Sequence, residues 1–241
     1  MKCPGQDTQY WKPGAIFEVK CPECDQTVEF FKDDTARKCG NCGHRFVNPQ
    51  MDFGCAAYCQ YAEQCLGTLP DELLAQKEDL LKDRVAIEMK RYFKSDFKRI
   101  SHATRVARYA ERIGKQERGV LPVILCAAYL RGIGAIEAQQ KYGNTTADSL
   151  ETEGPPLARS ILSKLQAKDE LIETVCNIVG DHQKPGVDAG LDLKIVFDAD
   201  LIATLEDRIK EEPMEAAALG DYIENELITP GGKEEARRVL L

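Results

Sequence analysis

Four cysteines in two pairs, Cys21-Pro-Glu-Cys24 and Cys39-Gly-Asn-Cys42, form the strongest chemical signal in the chain. Two thiolates separated by two residues in a tight turn can grip one side of a metal ion, and a second such turn closes the other side of a tetrahedron. Four more cysteines stand nearby, Cys3, Cys55, Cys59 and Cys65, so that eight of the ten cysteines lie within the first 65 residues. Cys55 and Cys59 are spaced to share one face of a helical turn, and with Cys65 and a returning Cys3 they make a second four-thiolate set. Three readings of that set stand: an iron–sulfur cluster, a second zinc, or thiols packed without metal among Phe53, Tyr58 and Tyr61.

Short β-type runs flank both pairs, at 17–20, 27–31 and 45–47. Pro22, Gly40 and Gly43 suit tight turns whose backbone amides point at sulfur. Over residues 17–48 this layout resembles the zinc-ribbon family, which implies structural zinc held by Cys21, Cys24, Cys39 and Cys42. Redox iron in a rubredoxin-like site is the alternative for the same thiolates. His44 reads as a surface residue or a donor behind the ligands, because a fifth ligand would crowd a tetrahedral ion.

Further along, polar residues interrupt apolar helical faces. His102 shares a face with Val106, Tyr109 and Ile113, and Arg131 falls on the stripe of Ile124 and Ala128. Asp198 and Asp200 sit in a later apolar helix, and Asp181-His182 ends another. An inward guanidinium needs a carboxylate or an anionic ligand, since burying it unpaired costs several kcal/mol.

In order and spacing these residues resemble the HD-domain phosphohydrolase superfamily over about residues 95–208. The family's first metal ligand matches His102 in Ser-His-Ala-Thr-Arg-Val, and its last matches Asp200 in Phe-Asp-Ala-Asp-Leu-Ile. Residues 153–158 and 181–185 look like its middle helices, with His182 at the end of one. Where the family reads Ala-Ala-Leu-Leu-His-Asp-Ile-Gly, this chain reads Ala127-Ala128-Tyr129-Leu130-Arg131-Gly132-Ile133-Gly134. The resemblance therefore implies a helical bundle with a vestigial site at His102, Arg131, His182 and Asp200, lacking two of four metal ligands. Hydrolysis by the family route needs that metal to acidify water and polarise the phosphoryl group. A phosphohydrolase acting on a nucleotide or related phosphoester would have to recruit an unusual set such as Asp181, His182 and Asp198. Two accounts of Arg131 stand: an internal ion pair with Asp200 or Asp198, or a cation that holds a phosphate or carboxylate.

Ten cations between Lys90 and Arg118 face only Asp96, Glu111 and Glu117, within a chain of net charge −8. The run could bind nucleic acid, nucleotide phosphates or an acidic protein partner, or form a solvated helix face, with Tyr92, Phe93 and Phe97 the aromatics available for stacking. Cys126 and Cys176 lie in apolar surroundings and read as inert buried thiols.

The 241 residues accommodate a small unit and a larger one. We divide them into a cysteine-rich metal-binding module, 1–68, and a helical domain, 69–241. The first is too short to hold itself together by apolar burial alone, and its thiolates compensate. Periodicity predicts helices over 71–94, from Phe97 to Ile113, over 121–142, 156–165, 168–182 and 191–210, and in a last stretch through Arg238. The fold class is thus mainly α, an HD-type bundle preceded by a small β zinc-ribbon-like module. No stretch approaches 18 consecutive apolar residues and the start lacks the apolar run of a signal peptide, so no membrane contact and a cytoplasmic location are expected. The function expected is that of a metal-binding, non-catalytic regulatory, scaffolding or ligand-sensing protein.

Overall fold

The computed structural model describes residues 16–31, 34, 36–50, 80–181 and 183–241. The chain divides into two units, Met1–Lys77 and Glu78–Leu241, and each has its own core. The boundary expected between residues 68 and 69 lies outside the described residues, as do Cys3, Cys55, Cys59, Cys65 and His182.

In the first unit, β1 (Ile16–Lys20) pairs antiparallel with β2 (Thr27–Phe31), and β3 (Ala36–Lys38) with β4 (Arg45–Val47). Each cysteine pair occupies the turn between two strands. Alternation places Val28 and Phe30 inward, where Phe17, Val19 and Phe46 cover them beside the buried Cys21 and Cys39. So few apolar side chains make a core too small to be self-sufficient. Asn48, fully buried, closes the unit: its amide donates to the carbonyls of Phe31 (3.2 Å) and Asp34 (2.9 Å), and its oxygen accepts from Gln50 N (2.9 Å).

The second unit is a helical bundle: α1 (Leu81–Phe93), α2 (Phe97–Glu117), α3 (Leu121–Leu130), α4 (Ala135–Tyr142), α5 (Ala147–Lys164), α6 (Asp169–Val179), α7 (Leu191–Glu211), α8 (Ala216–Glu226) and α9 (Pro230–Leu240). Helix α3 is apolar on every face, which suits a central position, and α1, α2, α6 and α7 surround it. Asp96 starts α2 by accepting from Arg99 N at 3.0 Å.

Three departures from periodicity have local causes. The helix expected over 121–142 breaks into α3 and α4 at residues 131–134, where Gly132 and Gly134 weaken helix propensity. A Cβ on Gly134 would lie 2.6 Å from Gly154 N, so backbones meet there that no larger residue would allow. The stretch Leu121–Tyr142 is long and apolar enough by mean composition to cross a bilayer, although Arg131 interrupts its apolar run, and it is mostly buried inside the bundle. Helix α5 begins at Ala147, not at Pro156, and runs through Pro155 and Pro156; a proline inside a helix costs about 3 kcal/mol, offset by packing of Gly154 against Val179 and of α5 on α6. The last stretch is two helices, because Thr229 caps Gly232 N at 2.9 Å and Pro230 opens α9.

Candidate functional site

The knuckles of the first unit repeat each other. Cys21 N donates to Gln26 O at 2.9 Å and Cys39 N to His44 O at 2.8 Å; one residue after each second cysteine the backbone turns left-handed, at Asp25 (φ 55°) and Gly43 (φ 77°). Gly43 is therefore the glycine the turn requires, whereas Gly40 lacks a positive φ and open space surrounds it. The four sulfurs lie within 4.8 Å of one another, with Cys21–Cys42 and Cys24–Cys39 each at 3.6 Å. A tetrahedron with metal–sulfur bonds of about 2.3 Å has edges of about 3.8 Å, whereas a disulfide closes to about 2.05 Å. The geometry fits a shared ion and does not fit disulfides.

Electrostatics agree with that fit. The backbone N–H of Gln26, helped by Asn41, pulls the Cys24 thiol down to about 6. At Cys42 the N–H of His44 pulls the same way, but burial and the neighbouring thiols outweigh it and push the value up to about 12. Several thiolates this close need a cation among them. The four cysteines can hold a metal ion. The His44 ring stands outside the set, stacked on Phe46 with centroids 6.1 Å apart.

In the helical unit the sequence-predicted residues converge from three helices. His102 on α2 places Nε2 2.9 Å from Asp200 Oδ1 on α7, while Arg131 at the end of α3 donates from Nε to Asp200 Oδ2 at 2.9 Å. Arg131 is 3% exposed, and its Nη1 donates to the carbonyls of Asp181 (2.9 Å) and Ile178 (3.3 Å), completing the carboxyl end of α6. Burial raises the Asp200 carboxyl, but the His102 hydrogen bond and the Arg131 charge outweigh it and hold the value at about 2. The same partnership outweighs burial at His102 and raises its pKa.

Asp198 takes no part. It is 0% exposed and accepts from Ile228 N (2.9 Å), Thr229 N (2.7 Å) and Thr229 Oγ1 (2.7 Å), joining α7 to the start of α9. Asp181 contributes its main-chain carbonyl to Arg131, and its carboxylate accepts from Gln183 N at 3.3 Å. The unusual metal set of Asp181, His182 and Asp198 is thus not assembled by the two members described. The carboxylates that periodicity passed over are Glu206 and Asp207, which engage Arg105; Asp207 also stands 3.6 Å from His102 Nδ1, and Glu206 accepts from Tyr109 at 2.7 Å. Asp207 follows Asp200 by two helical turns, the spacing that could have revealed it.

Half of the basic run is in ion pairs: Arg91 with Glu88, Arg99 with Asp96, Arg105 with Glu206 and Asp207, Arg112 with Glu235, and Lys115 with Glu111. Arg108 lies over the Tyr109 ring at 4.9 Å. A cavity of about 430 Å³ opens beside the His102–Asp200–Arg131 cluster, bounded by α1–α4, the loop at Thr145, the start of α5 and α7, with Lys98, Arg99 and Asp207 among its polar walls. Cys126 is buried, and burial pushes its thiol up to about 12; Cys176 donates to Pro155 O at 3.6 Å.

No family model matches the sequence. No curated protein matches it either. Among solved structures, the chain is similar to a crystal structure described as a "predicted HD superfamily hydrolase" from an uncultured Thermotogales bacterium, at 22% identity and a TM-score of 0.48, over 66% of this chain and 84% of the other.

Proposed function

We propose that the helical unit is an HD-type domain in which a fixed guanidinium has replaced metal chemistry, leaving a non-catalytic ligand-sensing or scaffolding module joined to a structural zinc ribbon. One observation carries this reading: Asp200, matching the last ligand of the resembled family, gives one oxygen to His102 and the other to buried Arg131. The charges also balance. A divalent ion beside one carboxylate sums to +1, which is what Arg131 supplies once Gly132 stands where the family has its acid. A metal taking both oxygens of Asp200 would have to displace the guanidinium and strand it, a cost of about 3–5 kcal/mol.

For the cysteine site we favour zinc over iron, because closed four-thiolate sites are commonly structural and the unit's core is too small to stand alone. Cys3, Cys55, Cys59 and Cys65 remain a proposed second site, for an iron–sulfur cluster or zinc, and iron, sulfide and zinc assays on protein isolated without oxygen test it. Thiolate ligands of this kind suit a reducing, cytoplasmic compartment. Ion pairs take up half of the basic run, which leaves fewer cations for a phosphate backbone and supports a protein or small-molecule partner over nucleic acid.

The test restores the missing pair. Open space surrounds the Cβ position of Gly132, so Arg131→His combined with Gly132→Asp is sterically accommodated there. This variant should take up one manganese or nickel ion beyond the metal content of the wild type, and adding His102→Ala should remove it. Manganese-dependent turnover of p-nitrophenyl phosphate by the wild type, lost on Asp200→Ala, would defeat the non-catalytic reading.

A further inference from the structure

We infer that the cavity beside Arg131 selects a small organic monoanion with an apolar body, of the benzoate type, over a phosphate dianion; the inference rests on Arg131 serving in place of a metal. The cavity's charges carry it. Each carboxylate on its wall already has a cation: Asp96 has Arg99, Asp200 has Arg131, and Asp207 has Arg105. Lys98, exposed at the wall, forms no ion pair with any described residue. The cavity therefore offers one uncommitted positive charge.

A carboxylate would meet Lys98 one to one, with the Thr145 and Thr204 hydroxyls on the same wall as further donors. A dianion would bring a second charge toward Asp96, Asp200 and Asp207, none of which has a spare cation to offer, and a like charge in a partly desolvated site is repelled strongly. The guanidinium's charge is balanced by Asp200, and its Nε and Nη1 donors are taken by Asp200 and two carbonyls. The remaining wall, including Phe93, Val106, Ala128 and Leu150, is apolar. A volume of about 430 Å³ lies within the range of small-ligand pockets and accommodates an aromatic ring.

Titration calorimetry on the full metal-loaded chain at about pH 8, where a phosphate monoester is dianionic because its second pKa is about 6, compares benzoate with phenyl phosphate. Benzoate should bind at least about tenfold more tightly. Lys98→Met, on the surface, should weaken benzoate about tenfold, and Lys94→Met, an exposed cation off the cavity wall, should leave it unchanged. Phenyl phosphate binding as well as benzoate, neither binding, or Lys98→Met having no effect would each overturn the inference. Elemental analysis of the same sample separates its failure from that of the underlying reading. An ion beyond those of the cysteines, on which phenyl phosphate binding depends, overturns the reading itself; an ion-free helical unit that binds neither probe overturns the inference alone.

Discussion

The two units solve one problem, holding charged or polarisable ligand groups together, by opposite means. In the first, four sulfurs within 4.8 Å of one another stand beside a core of a few side chains and can hold a metal ion. In the second, His102 and Asp200 meet at a cavity wall on the edge of a large apolar core, and the cation beside them, the buried Arg131, is part of the chain. A site whose cation is covalently attached is always occupied, so its charge does not depend on what the solution supplies. The contrast predicts that stripping metal destroys one unit and spares the other.

The largest effect should follow from removing a thiolate. Binding of structural zinc is worth about 10–16 kcal/mol in small ribbon-like units, so Cys21→Ser or a strong chelator should unfold the first unit. The amide resonances of β1–β4 should collapse toward random-coil shifts while the helical far-UV signal persists. Retention of the strand resonances after verified metal loss would show that the first unit holds its fold without an ion.

Next comes the internal cation. Asp200→Ala strands Arg131, whose buried guanidinium keeps only two carbonyl partners, and should cost about 3–5 kcal/mol in urea unfolding. Arg131→Met should cost less, about 1–3 kcal/mol, because Asp200 retains His102 and is 27% exposed in its side chain. If Arg131→Met proves the more damaging of the two, the guanidinium matters to the fold chiefly through the end of α6 and not through Asp200.

Acid should then separate the units further. With a folded value of about 2 against about 3.9 unfolded, Asp200 contributes stability that is complete above about pH 4 and lost as the pH falls through 2. Its share is about 2 kcal/mol. His102 has the opposite sign: its folded value is raised, so its contribution is complete below about pH 6.5 and lost as the pH climbs through the folded value. The cluster should be strongest between these limits, and Asp200→Asn should flatten the acid limb of the urea midpoint of the helical unit plotted against pH. An unchanged acid limb would mean that the ion pair is not what titrates.

How much of this was legible from residues differs between the units for a physical reason. The cysteine knuckles are local, so spacing alone brings Cys21 to Cys24 and Cys39 to Cys42, and the structure assembles all four. Arg131 and Asp200 are 69 residues apart, and only the cost of a charge on an apolar stripe announced that Arg131 had a partner. Asp198 and Asp200 were indistinguishable by type, yet two residues on a helix point to nearly opposite faces. One face meets α2 and α3; the other meets the turn before α9. Helix α5 running through two prolines was illegible, because the packing of Gly134 against Gly154 that supports it joins segments that no periodicity links. The second cysteine set and His182 lie outside the described residues.

The smallest effect sharpens the argument most, because it isolates burial from geometry. Arg159 on α5 donates to Glu173 on α6 through two bonds of 2.6 and 2.7 Å, better geometry than the single Arg131–Asp200 bond. Its side chains, however, are 48% and 59% exposed. Solvent screens the pair, and ordering two long side chains opposes what remains, so a double-mutant cycle with Arg159→Ala and Glu173→Ala should give a coupling of about 0.2–1 kcal/mol that shrinks with salt. The equivalent cycle on Arg131 and Asp200 should give several times more and resist salt, because the Arg131 side chain is only 3% exposed and solvent does not screen it. Equal couplings would mean that hydrogen-bond geometry, not enclosure, sets the strength of the internal cation, and the case for a guanidinium that excludes a metal would lose its energetic basis.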